Sequence, residues 1–314
     1  MASADPVVLW LMEGDPAIRW PTLRDLNCAA PETVRREQRR VATEGWGARL
    51  LELQDPDGRW AGGIYTPKWT STTYTMQLLR SFGLEPGNNQ AVRACGALLD
   101  AGCWSDGGIN FYPRQHRRSA TCISSMVLSL VSWFAVDDPR VDQLAHHVME
   151  QQMEDGGWNC RAMPGYGEAT HGSFHTTILA LEALLDYERT GRSGAAAARV
   201  AQARGREFLL VHKLFRSHRT GVVARSEFTR FAFPPRWHYD VLRGLDYFRE
   251  CGADRDERLS DGIELVEKRR LPAGFWLLPQ GYPGKMFFEM ETPGQPSRWN
   301  TLRALRVQRW WVVG

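Results

Sequence analysis

The chain has 314 residues, 43% of them hydrophobic, with 13 tryptophans and a formal net charge of +3. This length suits one large domain or two ordinary ones and can bury a substantial core. The small charge, without a Lys/Arg block, excludes a nucleic-acid partner as the default, and six scattered cysteines without a disulfide framework point to a reducing, cytoplasmic setting.

Taken in order, the chain opens on an apolar stretch, Val7 to Met12, followed by Glu13 and Asp15. It is too short for a signal peptide or a transmembrane segment. Residues 19–26 then read RWPTLRDL, and residues 298–305 read RWNTLRAL. Between them lies RWHYDVLRGL at 236–245. Two further segments fit the same frame, WTSTTYTMQLL from Trp69 and SATCISSMVL from Ser119, and a sixth runs through FHTTILALEALL from Phe174. Self-similarity at a period of roughly 50 to 65 residues marks a repeat architecture. Aligning the apolar faces puts Thr22, Thr73, Cys122, His175, Tyr239 and Thr301 at one equivalent position.

Amphipathic stretches between these segments predict outer helices near 32–53, 89–101, 140–153, 195–212 and 255–269. Gly-containing turns precede several inner segments, as in Asp57-Gly58-Arg59-Trp60, Asp106-Gly107-Gly108, Asp155-Gly156-Gly157-Trp158 and Ala273-Gly274-Phe275-Trp276. Glycine permits the sharp reversal there, and the aromatic residue plugs the seam to the next helix pair. The expected fold is all-α: one α/α toroid over residues 1–314, with about six inner helices ringed by outer ones. A sixth outer helix is not evident in the sequence.

If the inner helices run parallel, their N-termini share one face, with Arg19, Lys68, Arg117, Arg118, His171, Arg236 and Arg298 just before them. Helix N-termini already favour anions. An electropositive mouth above an aromatic cavity suits an amphiphile with an anionic head. The alternative pairs these arginines with Asp106, Asp155 and Glu168. Cys122 and His175 are expected to be neighbours, with Cys160 leading towards them, a zinc-type donor set. The alternative is a buried thiol and a backbone-bonded histidine. In the WHYD segment, Asp240 in an apolar cavity would have a raised pKa and could act as an acid beside His238 and Tyr239. Otherwise Asp240 caps its helix.

These segments resemble the α/α-toroid superfamily of squalene/hopene (terpene) cyclases and protein prenyltransferase β subunits. The cyclase element Q-x-x-D-G-x-W has its counterpart in Gln54 to Trp60, with a looser copy from Gln151 to Trp158. The resemblance to prenyltransferases implies a diphosphate role for Arg114 and Arg117 and a zinc role for Cys122 and His175. The family's zinc aspartate is Ala120 here, so Cys160, or failing that Asp240, would complete the zinc set. The acidic Asp-x-Asp-Asp motif of the cyclases is absent.

The expected function is therefore that of a prenyltransferase- or terpene cyclase-like enzyme acting on a hydrophobic or isoprenoid small molecule. Zn2+ would assist, and Arg114, Arg117, Arg236, Trp69, Trp158, Trp237 and Trp299 would bind substrate. The alternatives are a metal-free cyclase or isomerase using Asp240 as acid, and a non-catalytic lipid-binding toroid. A glycosidase or lyase toroid ranks last, because it needs a second well-placed carboxylate beside Asp240.

Overall fold

A computed structural model describes residues 5–161 and 169–313; Glu168 lies outside them. The described residues form thirteen α-helices and no strand. Six are inner helices: α2 (Pro16–Asp25), α5 (Thr72–Phe82), α7 (Thr121–Trp133), α9 (Phe174–Arg189), α11 (Val241–Glu250) and α13 (Arg298–Val313). Each packs beside the next, and α13 packs on α2, so the ring closes. The outer positions are filled by α3 (Pro31–Arg39) with α4 (Gly45–Glu52), then α6 (Asn89–Gly102), α8 (Arg140–Glu150), α10 (Ala195–Val211) and α12 (Ser260–Lys268). This is the expected α/α toroid. None of the described helices is long and apolar enough to cross a membrane.

Two details differ from the expectation. The stretch 32–53 is two helices, broken at Arg40–Ala42 and restarted at Gly45, whose φ of 65° lies in the left-handed region. The sixth outer position is occupied by the short α1 (Pro6–Met12). It packs on α2, sets Trp10 edge-on to Phe275 at 4.6 Å, and accepts a 3.1 Å hydrogen bond from Arg298 Nε at the Trp10 carbonyl. Seven residues are enough here, because α1 closes a seam between the last turn and the first repeat rather than standing alone.

The repeat is held by one recurring bolt. Trp60, Trp158 and Trp276 are fully buried, and each donates its ring N–H to a carbonyl ten residues earlier, on Leu50, Val148 and Val266, at 2.7 Å. Their backbone N–H groups donate to hydroxyls on the following inner helix: Thr72 at 3.1 Å, Thr177 at 2.9 Å and Thr301 at 3.1 Å. In a fourth copy, before α7, Ile109 replaces Trp and donates to Ser124 at 2.8 Å. Each indole thus ties the end of an outer helix to the start of the next inner one, and truncating one would cost roughly 3–5 kcal/mol.

This bolt also corrects the repeat register. The equivalent positions are Thr72, Ser124, Thr177 and Thr301. Cys122 and His175 remain equivalent to one another, each two residues before its bolt hydroxyl, but Thr73 and Thr301 do not share their position. The apolar faces of the inner helices are too uniform to fix a one- or two-residue offset; the hydroxyl that receives the turn's N–H fixes it.

Candidate functional site

The inner helices enclose a cavity of about 420 Å³. Its closed end lies at their N-termini, where Tyr74, Phe233, Arg236 and Trp299 line it, all of them buried. Phe233 stacks on Trp299 at 4.0 Å with 17° between the rings, and Trp299 stacks in turn on Phe82 at 5.8 Å. The segment carrying Phe233 and Arg236 therefore acts as a plug. Arg243 clamps it by donating to the Arg236 carbonyl at 3.1 Å and the His238 carbonyl at 2.7 Å.

The open end is at the opposite pole. Arg24, Arg80, Trp133, Arg189 and Glu250 lie near the C-terminal ends of their helices and line the mouth, with Arg24 and Arg189 exposed. The expected entrance at the N-termini is thus a floor, and the arginines expected around it disperse. Arg19 pairs with Glu37 at 2.5 Å, and Arg298 lies against Trp10. Arg114 and Arg117 are exposed on the loop before α7 and do not line the central cavity. Nor do the acidic turns take up these arginines. Asp106 accepts from Gly108 N–H and from Ser119 N–H and O–H, and Asp155 accepts from Gly157 and Gly172 N–H.

Charge is dense in the wall. Glu182 receives a two-pronged pair from Arg243 at 2.8 and 2.6 Å. Asp246 accepts from Arg249 at 3.0 Å and is also bonded by Arg306. Burial would raise Asp246, but Arg306, Arg249 and Arg303 hold it well below the usual carboxylate range. Burial opposes ionisation of Glu250 too, yet Arg249, Arg189 and Arg24 pull it down to about 2.

Arg236 is different. It is 6% exposed, makes no ion pair among the described residues, and leaves Nη1 without a hydrogen-bond partner. Its guanidinium lies 5.2 Å from the centre of the Trp69 ring. Burial, only partly offset by Tyr74, pushes its pKa down to about 10. Nearby in the wall, Trp299 Nε1, Arg303 Nη1 and Gln77 Oε1 are also buried without partners. Three of these four groups are donors, which is a pattern for an oxyanion.

Of the residues singled out from the sequence, Arg236 and Trp299 line the cavity. Trp158 is in an outer seam, its N–H bonded to Val148. Trp69 supports Arg236 from behind, and its ring N–H donates to the Tyr282 and Pro283 carbonyls. Trp237 stacks on His238 at 3.6 Å, and His238 stacks on Tyr282 at 3.5 Å. Burial, reinforced by His175 and Arg243, lowers His238 to about 3. Tyr239 is fully buried and donates its hydroxyl to the Leu214 carbonyl at 2.7 Å. Asp240 caps α11, its Oδ1 accepting from Arg243 N–H at 2.8 Å and lying 3.7 Å from Arg303. Burial raises its pKa against the pull of Arg303. None of His238, Tyr239 and Asp240 lines the cavity.

The zinc set does not assemble. Cys122 and Cys160 meet, Sγ to Sγ at 3.1 Å, but His175 turns towards α11, where its Nδ1 accepts the Tyr239 N–H at 2.9 Å. Burial, with Arg225 adding to it, lowers His175 to about 4, so the ring is neutral at pH 7. With Nδ1 accepting, its proton sits on Nε2, and neither nitrogen offers a lone pair to a metal. Among the described residues no three His, Cys, Asp or Glu side chains form a metal-binding group. The donor set present, two thiols in mutual contact and a histidine with both ring nitrogens engaged or protonated, does not fit zinc.

Sequence reasoning missed Arg243, Arg303, Glu182 and Asp246. Only Glu182, a charge inside the apolar run ILALEALL, left a signal; Arg243, Asp246 and Arg303 lie among other charges of α11 and α13.

Neither a family model nor a curated protein sequence matches the chain. Among solved structures it is similar to a protein from Actinoplanes at 14% identity, over 95% of this chain and 89% of that one, with a TM-score of 0.47. It is also similar to the type II terpene cyclase MstE from Scytonema, without ligand, at 16% identity over 93% and 86% of the two chains, with a TM-score of 0.46. A variant of MstE in complex with its product merosterolic acid A gives 15% identity over 95% and 87%, with a TM-score of 0.46.

Proposed function

We propose that the chain takes an anionic amphiphile, an isoprenoid or a molecule of similar size, head-first into the central cavity and acts on it there as a cyclase- or prenyltransferase-like enzyme. The observation that carries this reading is Arg236, a buried guanidinium without a counter-ion among the described residues, at the closed end of a cavity of about 420 Å³. Leaving a buried charge unpaired is expensive, and a bound oxyanion removes that cost. Trp299 Nε1 and Arg303 Nη1 supply further donors to the same end. The tail then lies along Phe233, Met126 and Leu179 towards the mouth. The volume is in the range of small-molecule sites.

The chemistry that this wall supports is electrostatic. Arg236 and Arg303 stabilise negative charge gathering on a head group, and the faces of Trp299 and Phe233 stabilise positive charge on the adjacent carbon skeleton. The wall carboxylates Glu182, Asp246 and Glu250 are each engaged by arginine. A second reading uses Asp240 as an acid; its burial-raised pKa favours it, although Arg303, the lining residue beside it, pulls the other way.

The test is titration calorimetry with a prenyl diphosphate, a prenyl carboxylate and the matching prenyl alcohol, with products followed by mass spectrometry. Tight binding of the anions and weak binding of the alcohol is the expected result. Equal binding of all three would remove the head-group reading. Turnover abolished in Asp240→Asn with binding intact would favour the second reading. Binding of the anions without turnover of any of them would leave a lipid-binding toroid.

A further inference from the structure

We propose that Cys122 and Cys160 form a redox-active dithiol, a modification site at which oxidation ties the loop after the Trp158 turn to the first turn of α7. The two cysteines are distant in sequence, yet their sulfurs lie 3.1 Å apart, with Cys122 Sγ donating to Cys160 Sγ. Cys160 is buried at 7% exposure, and Cys122 is partly exposed, so a small oxidant reaches the pair from the Cys122 side. The position of Cys160 is fixed locally: its N–H is held by Asn159 Oδ1 at 2.8 Å, while the Asn159 amide donates to the His171 carbonyl at 2.9 Å. Cys122 is carried on the N-terminal turn of a helix that packs tightly on α9. Two rigidly carried sulfurs in contact need close by only about 1 Å to reach the S–S bond length.

The oxidant is a hydroperoxide. Hydrogen peroxide converts one thiol to a sulfenic acid and releases a water. The sulfur of the other cysteine then attacks it, forming the S–S bond and expelling a second water. Two S–H bonds and one O–O bond break, and two thiols plus one peroxide give one disulfide plus two waters. A dithiol reductant reverses the change by exchange. The other cysteines do not share this geometry: Cys95 is fully buried on α6, and Cys28, Cys103 and Cys251 show no contact with a second sulfur.

The link closes a loop that begins on α7, whose Ser125 and Met126, just beyond Cys122, line the central cavity.

The purified chain is exposed to a slight excess of hydrogen peroxide, then denatured, alkylated and mapped by peptide mass spectrometry. The expected result is a cross-linked peptide pair containing Cys122 and Cys160, two hydrogens lighter than the reduced sum and restored by dithiothreitol, with Cys95 and Cys251 alkylated throughout. Cys122→Ser should lose the cross-link and leave Cys160 alkylatable or sulfenylated. Because the wild-type map stands alone, poor folding of that variant does not remove the test. Both cysteines fully alkylated after peroxide, or linked instead to Cys28 or Cys103, would overturn the proposal.

Discussion

Replacing Arg236 with methionine should stabilise the ligand-free protein and weaken ligand binding at the same time. Methionine keeps a flexible, unbranched stem of similar reach and removes the charge. A guanidinium held near 10 instead of its ordinary 12.5 bears a burial cost of about 3 kcal/mol at the free-energy equivalent of that displacement. Against this stands the ring contact with Trp69 at 5.2 Å, worth about 1 kcal/mol in a partly desolvated setting. The net expectation is a gain of about 2 kcal/mol, read as a rise of several degrees in Tm. The sign follows from linkage: a base whose folded pKa is depressed carries its full penalty below the folded value, and the penalty fades only as pH rises through about 10. Stabilisation of the variant should therefore be constant from pH 6 to 9. Binding of a prenyl diphosphate should fall by roughly 10- to 100-fold, the equivalent of a lost charge-assisted hydrogen bond. The assay is thermal unfolding with and without ligand. A variant less stable than wild type without ligand, or one shifted by ligand as much as wild type, would refute the reasoning, because Arg236 would then be a structural residue.

Three further outcomes follow from the geometry. Thr177→Val leaves the buried Trp158 N–H without its acceptor and should cost about 1–3 kcal/mol in urea unfolding, with Thr177→Ser restoring most of it. Trp158→Phe should lower stability by a comparable amount through loss of the bond to Val148 while leaving ligand affinity unchanged, whereas Trp299→Phe should change affinity; calorimetry on the two variants separates seam from cavity. Asp246 and Glu250 are held below their ordinary values, so the stability they contribute is complete above the unfolded carboxylate range and is lost as pH falls below about 4.5 towards 2; denaturant midpoints at pH 7, 5 and 3 should show that contribution failing only in the last step.

The ring was legible because its cause is periodic. Apolar inner segments, charged outer ones and Gly-aromatic turns recur, and each copy repeats the same packing problem. The cavity's polarity was not legible, because N-terminal arginines look alike in a sequence. Arg114, Arg117 and Arg236 all precede inner helices, yet only Arg236 is turned inward, carried by a plug in which it adopts a φ of 55°. The zinc set failed for a related reason. Repeat register correctly paired Cys122 with His175, but register specifies a backbone position and not a side-chain direction. His175 turned towards the backbone of Tyr239 and Cys122 towards Cys160. The charged wall was missed because Glu182, Asp246 and Arg303 lie on helices that carry several charges each, and sequence patterning does not say which of those charges turn towards the ring's interior.

The arrangement of charge along the ring axis separates arginines that the fold needs from one that it does not. Inner helices present partial negative charge at their C-termini. Arg24, Arg80, Arg189 and Arg249 stand in the last turns of α2, α5, α9 and α11. Each also has a carboxylate partner, in Asp25, Asp186, Glu250 and Asp246 respectively. These cations sit where the helix dipoles favour them and are neutralised besides, so the fold accounts for their presence at the C-terminal pole, where Arg24, Arg80 and Arg189 line the mouth. Arg236 sits at the other pole, against Tyr74 in the first turn of α5 and four residues before the N-cap of α11. There the helix ends are partially positive, no carboxylate among the described residues pairs with it, and water is largely excluded. Every term that stabilises the mouth arginines is absent or reversed for Arg236. A negative group at the cavity floor would reverse all of them at once: it would pair the guanidinium, meet the positive helix ends, and satisfy the indole N–H of Trp299.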